Sequence, residues 1–243
     1  MNPQQRTVAI VQSSYIPWKG YFDLIASSDV FVLFDDVQFT KRDWRSRNQI
    51  KTSTGLMWLS IPVQVKGKYL QKIHDVEVAD SSWAKTHWNS IRHAYGKAKE
   101  FSAYEARFSQ AYADAADLAK LSDINGLFIK LICDCLQITT ELRKSEEFNL
   151  YEGKTERLAG ICEQTGASAY LSGPAAADYI EQEHFDRRNI DLIYFDYSGY
   201  PEYAQLYPPF VHNVSVLDLL FNVGMESKKY LKCNQRDSVC QIL

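Results

Sequence analysis

The chain has 243 residues, of which 46% are hydrophobic and 23% charged, a composition typical of globular proteins. Its formal net charge of −3 argues against a protein whose whole surface binds nucleic acid. No run of about 18 apolar residues occurs, and the N-terminal segment MNPQQRT lacks the apolar stretch of a signal peptide. We therefore expect a cytoplasmic protein without a membrane span. The five cysteines form no Cys-x-x-Cys pair, which predicts reduced thiols.

A strand–turn–helix–strand unit is predicted at the start of the chain. Thr7 to Val11 and Val30 to Phe34 are continuous apolar runs of strand length, and Gly20 to Ala26 between them suits a short helix. Two parallel strands joined by a crossover end at the same edge of a sheet, where open α/β sheets bind their ligands. The residues that follow both strands are therefore expected to form a binding site.

Acidic, aromatic and cationic side chains follow these two strands. Asp35 or Asp36 after the second strand is suited to take a proton from an amine or hydroxyl nucleophile, or to hold a metal ion. Guanidinium groups match the paired oxygens of phosphates, so the basic segment behind the acids predicts an anion site. An acidic turn and a solvated basic helix are the alternative interpretations. The predicted substrate-binding residues of this stretch are Gln12, Tyr15, Trp18, Tyr21, Gln38, Lys41, Arg42, Arg45 and Asn48.

A helical section is predicted from about residue 82 to residue 137. Trp83, His87, Ile91 and Tyr95 recur every four residues, and two further amphipathic helices follow them, over 104–121 and 124–136. His87 is a third candidate base because it shares a helical face with an indole and a phenol, although a lone histidine on such a face is more often a hydrogen-bonded core residue.

The α/β pattern returns after the helical section. The predicted elements are strands over 138–142, 167–171 and 190–195, helices over 155–164 and 175–182, and a last helix that opens with a Ser215–Asp218 capping box and ends at Gly224. Residues 58–63 and 73–78 are predicted as earlier short strands, and the tail from residue 228 has little pattern. We predict one α/β domain with a mostly parallel Rossmann-like sheet, interrupted by the inserted helical section.

The rest of the sequence offers one further candidate binding segment and none of the common catalytic motifs. Tyr203 and Gln205 lie in the segment PEYAQ, which predicts either a substrate-binding loop or a rigid surface loop. The sequence contains no G-x-S-x-G motif, Walker loop or zinc-like cluster, so no metal or resident cofactor is predicted. Catalysis would then depend on positioning and proton transfer.

The chain opens with VQSSYIPWKGYFDLIASSDVFVLFDDVQFTKRDWRSRNQIK followed by WLSIPV, and later carries YLSG, PEYAQ and FVHNVSVLDLLFNVG. These segments resemble the WbqC-like protein family, which is associated with gene clusters for bacterial surface polysaccharides such as O-antigen and for other glycans. The resemblance covers nearly the whole chain. It implies a role in glycan biosynthesis and leaves the reaction open.

A second resemblance concerns the turn after the first strand. The segment WKGY stands where nucleotidylyltransferases and class I aminoacyl-tRNA synthetases, which have a related α/β sheet, carry H-x-G-H. Trp18 and Tyr21 replace the two histidines, and neither an indole nor a phenol supplies a protonatable imidazole to the phosphates. The resemblance therefore supports the fold more than the chemistry.

Three functions follow from these observations. The first is an enzyme that transfers an acyl or aminoacyl group from a thioester, on an acyl carrier protein or coenzyme A, to the amine of a nucleotide-linked sugar. In it Arg42 and Arg45 hold phosphate, and Tyr15, Trp18 and Tyr21 shape the pocket. The second is a nucleotidyltransferase or ligase on the related fold. The third is a non-catalytic module that binds a sugar nucleotide or a carrier protein.

Overall fold

The computed structural model of the protein describes residues 6–233. A five-stranded, all-parallel sheet lies at its centre, with the strands in the order β5-β2-β1-β6-β7. The predicted fold class is therefore confirmed. The strands are β1 (Thr7–Val11), β2 (Val30–Leu33), β5 (Glu141–Lys144), β6 (Ala169–Ser172) and β7 (Asp191–Tyr194).

Helices cover both faces of the sheet, which explains why its inner strands are continuous apolar runs. The helices are α1 (Lys19–Ala26), α2 (Trp83–Tyr95), α3 (Phe101–Ala116), α4 (Leu121–Cys135), α5 (Lys154–Gln164), α6 (Glu183–Asp186) and α7 (Leu217–Val223). Ala9 of β1 belongs to one apolar cluster with α1 and α2–α4, whereas its neighbours Val8 and Ile10 pack with α5 and α6. None of the helices among residues 6–233 has the length and apolarity needed to cross a bilayer.

An antiparallel hairpin follows the basic segment. Its strands, β3 (Arg47–Thr52) and β4 (Gly55–Ser60), pair from Arg47 opposite Ser60 to Thr52 opposite Gly55. The sequence predicted neither β3 nor these bounds, and it placed a strand over 58–63 instead. Polar residues dominate β3, and β4 buries only Leu59, so neither strand has the apolar pattern that identifies a strand.

Three other predicted elements differ from the structure. Residues 73–78 form one 3-10 turn and isolated bridges instead of a strand, because their backbone groups bond to loops. Residues 174–178 form a 3-10 helix that Pro174 begins, and α6 follows separately. The strand predicted from residue 138 begins at Glu141, because the N–H of Ile138 still bonds to the carbonyl of Cys133 at the end of α4.

The predicted capping box does not form as a reciprocal pair. Val216 is the N-cap of α7, Ser215 Oγ accepts the N–H of Leu217 at 3.3 Å, and the carboxylate of Asp218 bonds to two tyrosines instead of the N–H of Ser215. Cys240, one of the five cysteines predicted to be reduced, and the end of the tail lie outside the described residues.

The strand order creates a crossover point beside β1. The chain passes from β1 to β2 and then to β5 on one side, and it returns to the other side of β1 to form β6 and β7. The loops after β1 and β6 therefore lead away from each other. Sheets of this kind bind ligands in the crevice that such a reversal leaves at the carboxyl edge.

Candidate functional site

Asp35 lies buried at the carboxyl edge of the sheet, just beyond β2. Its carboxylate accepts the backbone N–H of Ser13 at 2.8 Å, and its own N–H donates to Ser145 Oγ at 3.2 Å. Burial raises the pKa of the Asp35 carboxyl, and the Ser13 hydrogen bond and the nearby Arg45 oppose that shift. The structure thus gives one predicted acid a position between the first two strand ends.

Arg45 brings the basic segment to the same place. Its Nη1 donates to Ser14 Oγ at 2.8 Å and, at 3.4 Å, to the carbonyls of Gln12 and Ser13. The hydroxyl of Tyr21 also donates to the Gln12 carbonyl, at 3.1 Å. Four predicted site residues, Gln12, Tyr21, Asp35 and Arg45, therefore meet around the loop after β1.

Asp36 points away from this group. Its carboxylate pairs with Lys72, while its carbonyl accepts Nη1 of Arg157 at 3.4 Å. Successive side chains of an extended segment point in opposite directions, so the structure separates the two neighbouring acids. Asp36 is thus tied to a cation of the loop that follows the hairpin.

A cavity of about 880 Å³ lies at the crossover point between β1 and β6. Gln12 and Phe34 line it from the first half of the chain, and Arg157, Ser172 and Gly173 line it from the second half. The cavity is large enough for a nucleotide-sized ligand, and it occupies the crevice in which α/β sheets bind such ligands.

Two cations line this cavity at the beginning of α5. Lys154 is the first residue of the helix, and no side chain caps the first-turn N–H groups. Arg157 is held by the carbonyls of Tyr151 at 3.1 Å and Asp36 at 3.4 Å. Cations beside a helix N-terminus favour an anionic ligand. Sequence reasoning missed both residues; Gly153-Lys154-Thr155 before a helical pattern is the signal that it left unused.

Aromatic rings form another wall of the cavity. Tyr197 lines it, and the ring of Trp18 lies behind Tyr197 with centroids 5.4 Å apart. Trp18 also contacts Tyr200, at 5.7 Å. Trp18 thus supports the pocket through a neighbouring ring instead of lining it.

Tyr15 and His87 lie in the core. The Tyr15 hydroxyl is 2.9 Å from His87 Nδ1 and 2.7 Å from the hydroxyl of Tyr112, and the ring packs edge-on against Trp83. Burial lowers the pKa of His87 to about 4, so its imidazole is neutral at pH 7. The structure does not bring this pair to the cavity, and its hydrogen bonds fit a packing role.

The other predicted contacts of the first stretch are also apart from the cavity. Asn48 is buried and donates to the carbonyls of Tyr15 and Ile16, both at 3.1 Å. Gln38 donates to the carbonyl of Tyr69 at 3.1 Å. Two further members, Lys41 and Arg42, are exposed, with Arg42 in a left-handed turn at φ 59°.

Tyr203 and Gln205 belong to a second buried polar cluster. The Tyr203 hydroxyl donates to Asp218 at 2.8 Å, and the Tyr95 hydroxyl donates to the other oxygen of that carboxylate at 3.0 Å. Lys51 Nζ donates to Gln205 Oε1 at 2.5 Å. Burial raises the pKa of Asp218, and the tyrosine hydrogen bonds oppose the shift. Of the PEYAQ segment, Tyr203 is buried in this cluster, whereas Glu202 and Ala204 are exposed.

Lys19 borders this cluster at the first position of α1 and is 2% exposed. Its Nζ donates to the carbonyl of Pro201 at 3.0 Å and lies 5.1 to 5.6 Å from the ring centroids of Tyr200, Tyr203 and Phe210. Burial lowers its pKa to about 8, against the attraction of Asp218. Sequence reasoning missed Lys19, although a lysine opening an apolar helix was a visible signal.

Three of the described cysteines are poor nucleophiles. Cys133, Cys135 and Cys162 are free and buried, and burial raises the pKa of Cys133 to about 12 and that of Cys135 to about 11. Such thiols carry almost no thiolate at pH 7. No group of three or more His, Cys, Asp or Glu side chains suited to a metal ion occurs within residues 6–233.

Comparison with known proteins gives the family. Residues 12–230 match the model of the WbqC-like protein family. The chain is 47% identical over 231 residues to the uncharacterised protein Rv1507c of Mycobacterium tuberculosis, an alignment that covers 95% of this chain and 100% of that protein. No solved structure matches the chain. The predicted resemblance is confirmed, and the chain belongs to the WbqC-like protein family.

Proposed function

We propose that the protein is a cytoplasmic enzyme of glycan biosynthesis that holds a nucleotide-linked amino sugar in the crossover cavity and transfers an acyl or aminoacyl group to its amine. The family's association with glycan gene clusters supports the substrate class. The donor is a thioester on coenzyme A or an acyl carrier protein.

One observation carries the proposal: the cavity at the crossover point combines an apolar floor and tyrosine rings with the cations of Lys154 and Arg157. Apolar and aromatic surfaces suit the base and sugar of a nucleotide, and the cations suit its diphosphate. This assignment moves the phosphate contact from Arg42 and Arg45 to α5, because Arg42 is exposed and Arg45 holds the loop after β1.

Asp35 is the proposed proton acceptor. It is buried at the carboxyl edge of the sheet, where it accepts the N–H of Ser13, the residue after cavity-lining Gln12. Its raised pKa brings it closer to the range in which a carboxyl can both take and return a proton. In the reaction the amine attacks the thioester carbonyl, a C–N bond forms and the C–S bond breaks. The amine proton passes to the carboxylate, which then returns it to the departing thiolate.

A ligand screen by thermal shift tests the binding site. Nucleotide-linked amino sugars at a hundredfold excess over Kd should raise the Tm of the native protein by about 5–10 °C. Arg157→Ala should weaken that binding about 10- to 100-fold, because a charge-assisted bond to phosphate is lost. Arg42→Ala is the matched control and should respond as the native protein does. Equal loss in both variants, or no response in the panel, contradicts the cavity assignment.

A turnover assay then separates the three functions. With a thioester donor and an amino sugar nucleotide, acyl transfer releases free thiol, and Asp35→Asn should slow that release about 100-fold or more. Release of pyrophosphate from ATP or CTP without any thioester would indicate the nucleotidyltransferase. Ligand binding with neither product would indicate the non-catalytic module.

A further inference from the structure

Residues 37–72 have a charge opposite to that of the rest of the chain. They contain eight lysines and arginines against one aspartate, whereas the whole chain has a net charge of −3. Some of these cations already form salt bridges within the chain, since Lys68 pairs with Glu77 and Lys72 pairs with Asp36. Lys41, Arg42 and Lys66 are exposed. An asymmetry of this size attracts an anionic partner to one side of the molecule.

Large apolar side chains are exposed on the same segment. Of the ten exposed large hydrophobic residues in the described chain, six lie between residues 44 and 70. Tyr69 and Leu70 are 78% and 77% exposed, and the other four are between 41% and 45% exposed. These four are Trp44, Leu56, Met57 and Trp58. Side chains that protrude this far into water add contact area only when a partner covers them.

Contacts within the segment form two groups, one beside Tyr69 and one around Trp44 and Trp58. The amide of Gln38 donates to the carbonyl of Tyr69, and the N–H of Phe39 donates to the carbonyl of Gln71, so the residues before Lys41 lie beside the protruding loop. At the other end, the rings of Trp44 and Trp58 are 5.4 Å apart. The guanidinium of Arg47 lies 4.2 Å from the Trp58 centroid. We call residues 41–70 with these exposed side chains the basic–apolar surface.

We propose that the basic–apolar surface docks the protein on an anionic lipid bilayer. Tryptophan and tyrosine prefer the headgroup region of a bilayer, and lysine and arginine are attracted to anionic lipids. Leu56 and Leu70 favour lipid over nucleic acid, because single-stranded nucleic acid is bound mainly by aromatic stacking and cations. The surface is separate from the crossover cavity, so this inference does not depend on the proposed reaction.

Vesicle co-sedimentation tests the inference. The native protein should bind vesicles of equal parts phosphatidylglycerol and phosphatidylcholine, bind phosphatidylcholine alone much more weakly, and be released by salt. Lys41→Glu with Lys66→Glu should weaken binding by more than about fivefold for each residue, since each basic residue near the surface contributes on the order of 1 kcal/mol. Tyr69→Ser with Leu70→Ser should weaken it by at least about tenfold.

Variants outside the basic–apolar surface serve as controls for the change in net charge and for the removal of an exposed apolar side chain. Lys85→Glu with Lys97→Glu makes the same change in net charge, and Met225→Ser removes another exposed apolar side chain. Both should bind vesicles nearly as the native protein does. Absence of binding to the anionic vesicles, equal loss in the controls, or displacement of the protein from vesicles by a single-stranded oligonucleotide would overturn the lipid assignment. A dimer in gel filtration that Tyr69→Ser with Leu70→Ser dissociates would also overturn it, in favour of a second copy of the chain.

Discussion

Lys19 combines two features that disfavour a charged lysine. It is buried, and it occupies the positive end of α1. The carboxylates of Asp218 and Asp23, the hydrogen bond to the Pro201 carbonyl and the three nearby rings offset part of this cost. A position that breaks local rules in this way is a candidate for a functional role.

The pH dependence of stability tests this environment. The folded-state pKa of about 8 lies below the ordinary value of 10.5, so the unfolded chain binds more protons between these two values. The free energy of unfolding of the native protein should therefore rise relative to Lys19→Met as the pH increases from 8 to 10.5, by about 2–3 kcal/mol.

Urea unfolding of both proteins at several pH values in that window measures the difference. Lys97→Met, at an exposed position, is the matched control for removing a lysine. A native-to-Lys19→Met difference that stays constant across the window would show that Lys19 keeps an ordinary affinity for its proton.

Site residues could be predicted from the sequence where they directly follow a parallel strand, because the strand direction alone places them at one edge of the sheet. Asp35 and Gln12 were identified because they follow parallel strands, and they do lie at one edge of the sheet. Tyr15 was predicted to face the same cleft, but its ring turns into the core to meet His87 on a helix 72 positions away. The sequence contains no signal for such a long-range contact.

Helix α1 depends on a close approach between a glycine and a ring. A Cβ on Gly20 would lie 2.3 to 2.7 Å from the six-membered ring of Trp18, which Tyr197 and Tyr200 hold in place. Gly20→Ala should therefore lower the free energy of unfolding by about 1–3 kcal/mol through overpacking, despite the better helix propensity of alanine. It should also weaken ligand binding in the cavity, because the displaced indole moves Tyr197.

A second helical glycine supplies the control for propensity. Gly126 in α4 has open space where a Cβ would be. Gly126→Ala should therefore raise the free energy of unfolding by about 0.5–1 kcal/mol. Chemical denaturation of both variants gives the comparison, and a Gly20→Ala protein as stable as Gly126→Ala would contradict the packing argument.

Helices and strands could be predicted from the sequence where a regular pattern of apolar residues continues over the whole element. The helices α2 to α4 each present a buried face of recurring apolar residues, and β1 and β2 are apolar on both faces. The hairpin was not predictable, since β4 leaves most of its side chains exposed. The short elements after Gly173 were misjudged because three alanines carry no periodic signal.

The whole molecule shares its main apolar cluster between the sheet and the helical section. Ala9 and Leu171 of the sheet belong to the same cluster as Ile91 of α2 and Phe128 of α4. We therefore predict that the chain unfolds as one domain, with coincident transitions by tryptophan fluorescence and far-UV circular dichroism.

Two core truncations sharpen this test. Ile91→Ala in the helical section and Leu171→Ala in β6 should each lower the free energy of unfolding by about 2–5 kcal/mol. Each variant should therefore shift the single transition to a lower denaturant concentration. A biphasic curve in which each variant shifts a different phase would instead divide the chain into two domains.

The central position of β1 has a consequence for protein synthesis. Thr7 pairs with Ala169, so one edge of this strand has no permanent neighbour until most of the polypeptide has left the ribosome. A nascent chain that ends within the helical section has β1 and β2 but lacks the strand that covers the bare edge. Unpaired edges of this kind invite association with other chains, so ribosome-bound intermediates of this length are the stage at which the protein most needs a chaperone.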